Sequence, residues 1–120
     1  MTSKNVETIT DICEYQKLAQ RTAPLDMEKQ HRLSVAGLGL AGEAGEVADL
    51  IKKHLGHGHD LPMDKLIKEL GDAQWYINEV ASIFNIPMSK ILTKNINKLA
   101  DRYPDGFSEE RSINRDKYGV

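Results

Sequence analysis

The sequence predicts an all-α fold of four main helices. Apolar residues recur at helical spacing along most of the chain. Breaks fall where proline and glycine gather, around Pro24, 56–60, 85–87 and 104–106. No run alternates apolar and polar residues as a strand meander would.

The first helix is expected over about 6–22, with Val6, Ile9, Ile12, Cys13 and Leu18 as a rough apolar stripe. Pro24 ends it, because proline disfavours helix at the residue before it. The second helix should start near Asp26, a candidate N-cap, and run to about Leu55. Gly56-His-Gly-His-Asp60 reads as a loop. Pro62 suits the first turn of a third helix reaching about Phe84. Asn85-Ile-Pro87 is a short break, and the fourth helix covers about Met88 to Arg102 or Tyr103. Pro104-Asp-Gly106 is a turn. One domain, 1–107, is expected, followed by a polar arm or tail at 108–120.

Bulk properties narrow the function classes. A net charge of −2 leaves no basic footprint for a nucleic-acid partner. The N-terminus is polar, and no apolar run reaches the length of a membrane span. The single cysteine, Cys13, cannot form an intrachain disulfide and reads as a small packed residue. A cytoplasmic protein is the simplest expectation.

The second helix is unusual in its middle. Residues 33–48 carry four glycines, each costing up to about 1 kcal/mol against alanine in a helix interior. That cost suits close approach by another helix. The stretch is apolar on nearly every side, and Glu43 and Glu46 are its only charges. Glutamate is rarely buried unless paired or coordinating.

Glu43-Ala-Gly-Glu46 has a counterpart in Glu69-Leu-Gly-Asp72. Each pair is spaced i, i+3, so both carboxylates project from one helix face. The intervening chain is long enough to finish one helix and begin an antiparallel one. Two carboxylates about 4 Å apart repel by roughly 4 kcal/mol at an effective dielectric near 20. A cluster of four therefore calls for protons or cations, and hard oxygen ligands suit Mg²⁺ or Mn²⁺. On the third helix, Leu66, Leu70, Ala73, Ile77, Val80 and Phe84 form an apolar seam. Glu69, Asp72, Tyr76 and Glu79 form a second seam beside it. Trp75 suits packing or an interface better than base stacking. His54, His57 and His59 fall in a Gly-rich loop without cysteine, which favours a flexible loop over a zinc site.

Glu-x-x-Glu, a spacer and Glu-x-x-Asp, within residues 39–53 and 69–76 and followed by Asn95 to Phe107, resemble the MazG-like all-α nucleoside triphosphate pyrophosphohydrolases. The resemblance covers roughly 10–107. It implies a four-helix bundle completed by oligomerisation, as a homodimer or homotetramer. It also implies cleavage of a (d)NTP between its α- and β-phosphates, giving (d)NMP and diphosphate, in nucleotide-pool control. Glu43, Glu46, Glu69 and Asp72 would then hold Mg²⁺, with Glu46 a candidate base. Asn95, Lys98 and Arg102, on one face of the fourth helix, would bind phosphates, and Lys53 would join them. Tyr76 would donate to phosphate or sugar, and Gln16 would face the nucleobase. Two rivals share this logic: a phosphoribosyl-ATP pyrophosphohydrolase, and a non-catalytic helical nucleotide-binding adaptor.

Overall fold

The structure, a computed structural model, describes residues 5–117; the ends of the expected N-terminal segment and tail, 1–4 and 118–120, lie outside them. Among the described residues there are five α-helices and no strand beyond an isolated bridge between Pro104 and Gly106. They are α1 (Ile12–Ala19), α2 (Lys29–Gly56), α3 (Met63–Ile83), α4 (Met88–Arg102) and the short α5 (Glu109–Ile113). None is long and apolar enough to cross a membrane.

The first helix is shorter than its periodicity suggests. Asp11 accepts a hydrogen bond from the backbone N–H of Cys13 (2.7 Å) and caps α1, leaving Val6 and Ile9 outside any helix. Cys13 is exposed, which corrects the expectation of a packed residue. The helix tightens into a 3₁₀ turn at Gln20–Thr22 before Pro24. Glu28, rather than Asp26, caps α2 through the N–H of Gln30 (3.2 Å), because 24–27 is already folded as a turn. The end of α3 is a Schellman turn. Ile86 N–H donates to Ala81 (2.8 Å) and Asn85 N–H to Ser82 (3.0 Å), with Asn85 in the left-handed region at φ 56°. Part of the expected tail is ordered as α5, where Ser108 Oγ accepts from the N–H of Arg111.

α2 and α3 form the main packing unit, a long antiparallel hairpin. Arg32 and Glu79 clamp it near one end with two hydrogen bonds of 2.7 and 3.1 Å, and Glu79 is 4% exposed. Beside them the Lys29 ammonium lies 5.1 Å from the centre of the Phe84 ring. α1 lies across α3 and the start of α4, where Met88 is buried. The core is thin: Ala19, Ala36, Leu50, Ala81, Ile83 and Met88 are its buried apolar residues. Beyond Ile91, α4 is exposed as far as Asp101. The radius of gyration is 17.7 Å, against about 14 Å for a compact chain of this length. The described residues are thus helical throughout, yet one chain does not close a compact four-helix bundle.

Candidate active site

Three carboxylates meet between α2 and α3. One oxygen each from Glu43, Glu69 and Asp72 lies within 4.8 Å of the others. The i, i+3 spacing puts Glu69 and Asp72 on the side of α3 that meets α2, where Glu43 faces back. A cavity of about 330 Å³ opens beside them, lined by Glu43, Asp72, Trp75 and Tyr76. Glu43 bears the electrostatic cost of this crowding. A hydrogen bond shared with Glu69, partial desolvation, and the charges of Glu69, Asp72 and Glu46 push its pKa up to about 7. Its Oε2 is buried with no hydrogen-bond partner in the chain. An orphaned carboxylate oxygen beside two further carboxylates is a donor set that fits a hard divalent cation.

The sequence pattern pointed to four converging carboxylates, and the structure gathers three. Glu46 is exposed, one turn along α2 at the rim of the cluster. There its charge acts on Glu43 and on Lys53. Lys53 itself pairs with Asp49 at 2.9 Å, a contact that raises its pKa. Glu79, the last carboxylate of the second seam, is taken up by Arg32 and lies outside the cluster.

The aromatic residues are placed by packing. Tyr76 packs against Gly39, where a Cβ would overlap its ring carbons. Its ring meets Trp75 edge-on, centroids 5.3 Å apart. The Trp75 indole N–H donates to Thr22 Oγ1 (2.9 Å) and the Ala19 carbonyl (3.3 Å), tying the end of α1 to the cavity wall. These contacts anchor Trp75 against the end of α1 while it lines the cavity.

Gln16 is bonded within the fold. Its amide donates to the Ile86 carbonyl (2.9 Å) and Ser82 Oγ (3.3 Å), and its oxygen accepts from the Met88 N–H (2.7 Å). The side chain thereby joins α1 to the α3–α4 turn and caps α4. Asn95, Lys98 and Arg102 share a face of α4 but do not line the carboxylate cavity. Asn95 and Lys98 are exposed, and Arg102 Nε is buried without a partner. In the histidine loop, His54 Nδ1 contacts the His59 carbonyl at 2.7 Å, and the His57 and His59 ring centroids are 6.4 Å apart. Among the described residues, Glu43, Glu69 and Asp72 are the group of potential ligands that comes together.

Residues 34–107 match the MazG nucleotide pyrophosphohydrolase domain, a span that holds all three clustered carboxylates. The chain belongs to the MazG family. It is also similar to the Gene 37 protein of Mycobacterium phage L5, with 34% identity over 94 residues, covering 75% of this chain and 82% of that protein. No solved structure matches. Within the MazG family match lie α2 from its second turn, the whole of α3 and α4, and the turn at Gly106. α1, which supplies Tyr15 and Gln16, lies outside it.

Proposed function

We propose that this chain hydrolyses a nucleoside triphosphate between its α- and β-phosphates, releasing the monophosphate and diphosphate, with Mg²⁺ as cofactor and Mn²⁺ as a substitute. The observation that supports the reading most directly is the cluster of Glu43, Glu69 and Asp72, with Glu43 Oε2 buried and unpartnered. These residues would hold the cation, and Glu46 would complete the set from the rim. When bound, the cation supplies charge neutralisation at the phosphate oxygens and lowers the pKa of water.

The chain's own groups do the rest. Glu43, whose pKa is raised to about 7 beside Glu69, would give up its proton when a cation binds. Glu46, exposed one turn from Glu43, would accept a proton from an attacking water. Lys53 would offer its ammonium to the phosphates. Tyr76, on the cavity wall, would donate to phosphate or sugar.

The partner would be a second copy of the chain. Leu38, Ile51, Leu55, Met63, Ile67 and Leu70 are large apolar residues of the hairpin left exposed, Leu55 by 78%. Gly37, Gly42 and Gly45 face open space, so another helix has room to approach. On α4, Leu92, Ile96 and Leu99 form a second uncovered stripe beside Asn95 and Lys98. Docking that stripe in a homodimer, or in a tetramer of dimers, would bring Asn95, Lys98 and Arg102 toward a triphosphate.

Pyrophosphate release from a panel of ribo- and deoxynucleoside triphosphates, with Mg²⁺, Mn²⁺ or chelator, tests the reading. Cation-dependent release supports it. Its absence from every nucleotide, in a folded oligomer, sinks it in favour of a binding adaptor.

A further inference from the structure

A second cavity, of about 390 Å³, lies between the start of α1 and α3. Its walls are Ile9, Thr10, Asp11, Ile12 and Tyr15 on one side and Gln74 on the other. That volume is within the range of small-molecule sites, roughly 300–1,000 Å³, and the mixture of apolar walls with a few polar groups is typical of them. The cavity lies near the carboxylate cluster, on another side of α3: Gln74 and Asp72, two residues apart, project differently, and Tyr15 on the cavity wall stands close enough to Asp72 to feel its charge.

Gln74 carries an anomaly. Its Nε2 is buried, yet it has no hydrogen-bond partner. Leaving a buried donor unpaired costs stability, so native chains satisfy nearly all of them. Gln16 shows the contrast on the neighbouring helix, its amide fully engaged in holding the fold. One turn along α3, Asn78 Oδ1 is also buried and unpartnered, but it does not line the cavity, so the reading role falls to Gln74.

We propose that this cavity receives the nucleobase of the triphosphate, and that Gln74 selects bases with a carbonyl oxygen on the edge they present, such as uracil, thymine, guanine or hypoxanthine. The inference rests on the triphosphate reading of the nearby carboxylates. A carbonyl oxygen satisfies the orphaned N–H₂ directly. An exocyclic amino group at the same place sets donor against donor in this orientation of the amide, and is paired only if the amide turns over to offer Oε1. Ile9, Ile12 and the Tyr15 ring supply the apolar walls for a planar ring.

The test measures kcat/KM for carbonyl-edged and amino-edged nucleotides in the wild type, Gln74→Leu and Gln74→Glu, alongside thermal unfolding. The wild type should favour carbonyl-edged bases by tenfold or more. Gln74→Leu should erase most of that preference while its Tm holds or rises, because an unsatisfied buried donor has been removed. Gln74→Glu, which replaces a donor with an acceptor, should move the preference toward amino-edged bases. A wild type that favours amino-edged bases or none overturns the assignment, as does a preference unmoved in both variants. A lower Tm in Gln74→Leu with unchanged preference overturns it too, by showing a structural partner. No hydrolysis of any triphosphate defeats the underlying reading instead, which separates the two failures.

Discussion

Gly39→Ala tests whether the close approach of α2 to Tyr76 is the reason for a glycine there. A Cβ at residue 39 would overlap Cε1, Cζ and Cδ1 of the Tyr76 ring. The ring cannot yield easily, because Trp75 packs on it edge-on and is itself tied to Thr22 and Ala19. Overpacking of this kind costs about 1–3 kcal/mol, and the rigid backing places it near the upper end. Alanine returns up to about 1 kcal/mol of helix propensity, so a net loss of about 2 kcal/mol is expected. Gly42→Ala is the control. Its Cβ meets nothing within 4 Å, so the isolated chain should gain up to about 1 kcal/mol. The two variants should therefore differ by about 3 kcal/mol, or roughly 10 °C in Tm for a domain of this size. Urea unfolding at several protein concentrations measures the difference and separates any change in self-association. Truncating Tyr76 to alanine in the Gly39→Ala background should show coupling of about 1 kcal/mol or more. Equal shifts in Gly39→Ala and Gly42→Ala would refute the packing argument.

Further outcomes follow from the site and the clamp. Because the folded pKa of Glu43 is raised to about 7, the folded state binds more protons than the unfolded one between about pH 4.5 and 7. Stability without metal should therefore fall as pH rises through that window; Mg²⁺ should flatten the slope and release protons, as Tm against pH and calorimetry in buffers of different ionisation enthalpy would show. Asp72→Ala and Glu46→Ala should each abolish turnover with the helical circular dichroism intact; wild-type turnover in Asp72→Ala would sink the metal-site assignment, and in Glu46→Ala the role given to Glu46. Arg32→Met strands the buried Glu79 carboxylate and should cost about 3–5 kcal/mol in urea unfolding, with Arg32→Met/Glu79→Leu recovering much of it.

Local signals carried much of the fold. The breaks at Pro24, Gly56, Asn85 and Pro104 were legible because proline, glycine and left-handed asparagine act on the backbone over a few residues. The pairing of Glu43 with Glu69 and Asp72 was legible because i, i+3 spacing sets a helix face, and two long helices with a short loop must run antiparallel. The start of α1 was misread because the Asp11 cap competes with an apolar stripe that continues upstream of it. Cys13 was misread because that stripe does not say which side another helix will cover.

By itself the sequence determined the helical class, the order of the helices and the carboxylates available for a site, since each follows from periodicity within one element. Tertiary structure decided what distances between elements decide. It drew Glu43, Glu69 and Asp72 together and left Glu46 at the rim. It used Gln16 and Glu79 for the fold and left Gln74 Nε2 unpaired beside a cavity. A hydrogen bond reaches about 3 Å, so a shift of one turn, about 5 Å, separates a ligand from a strut.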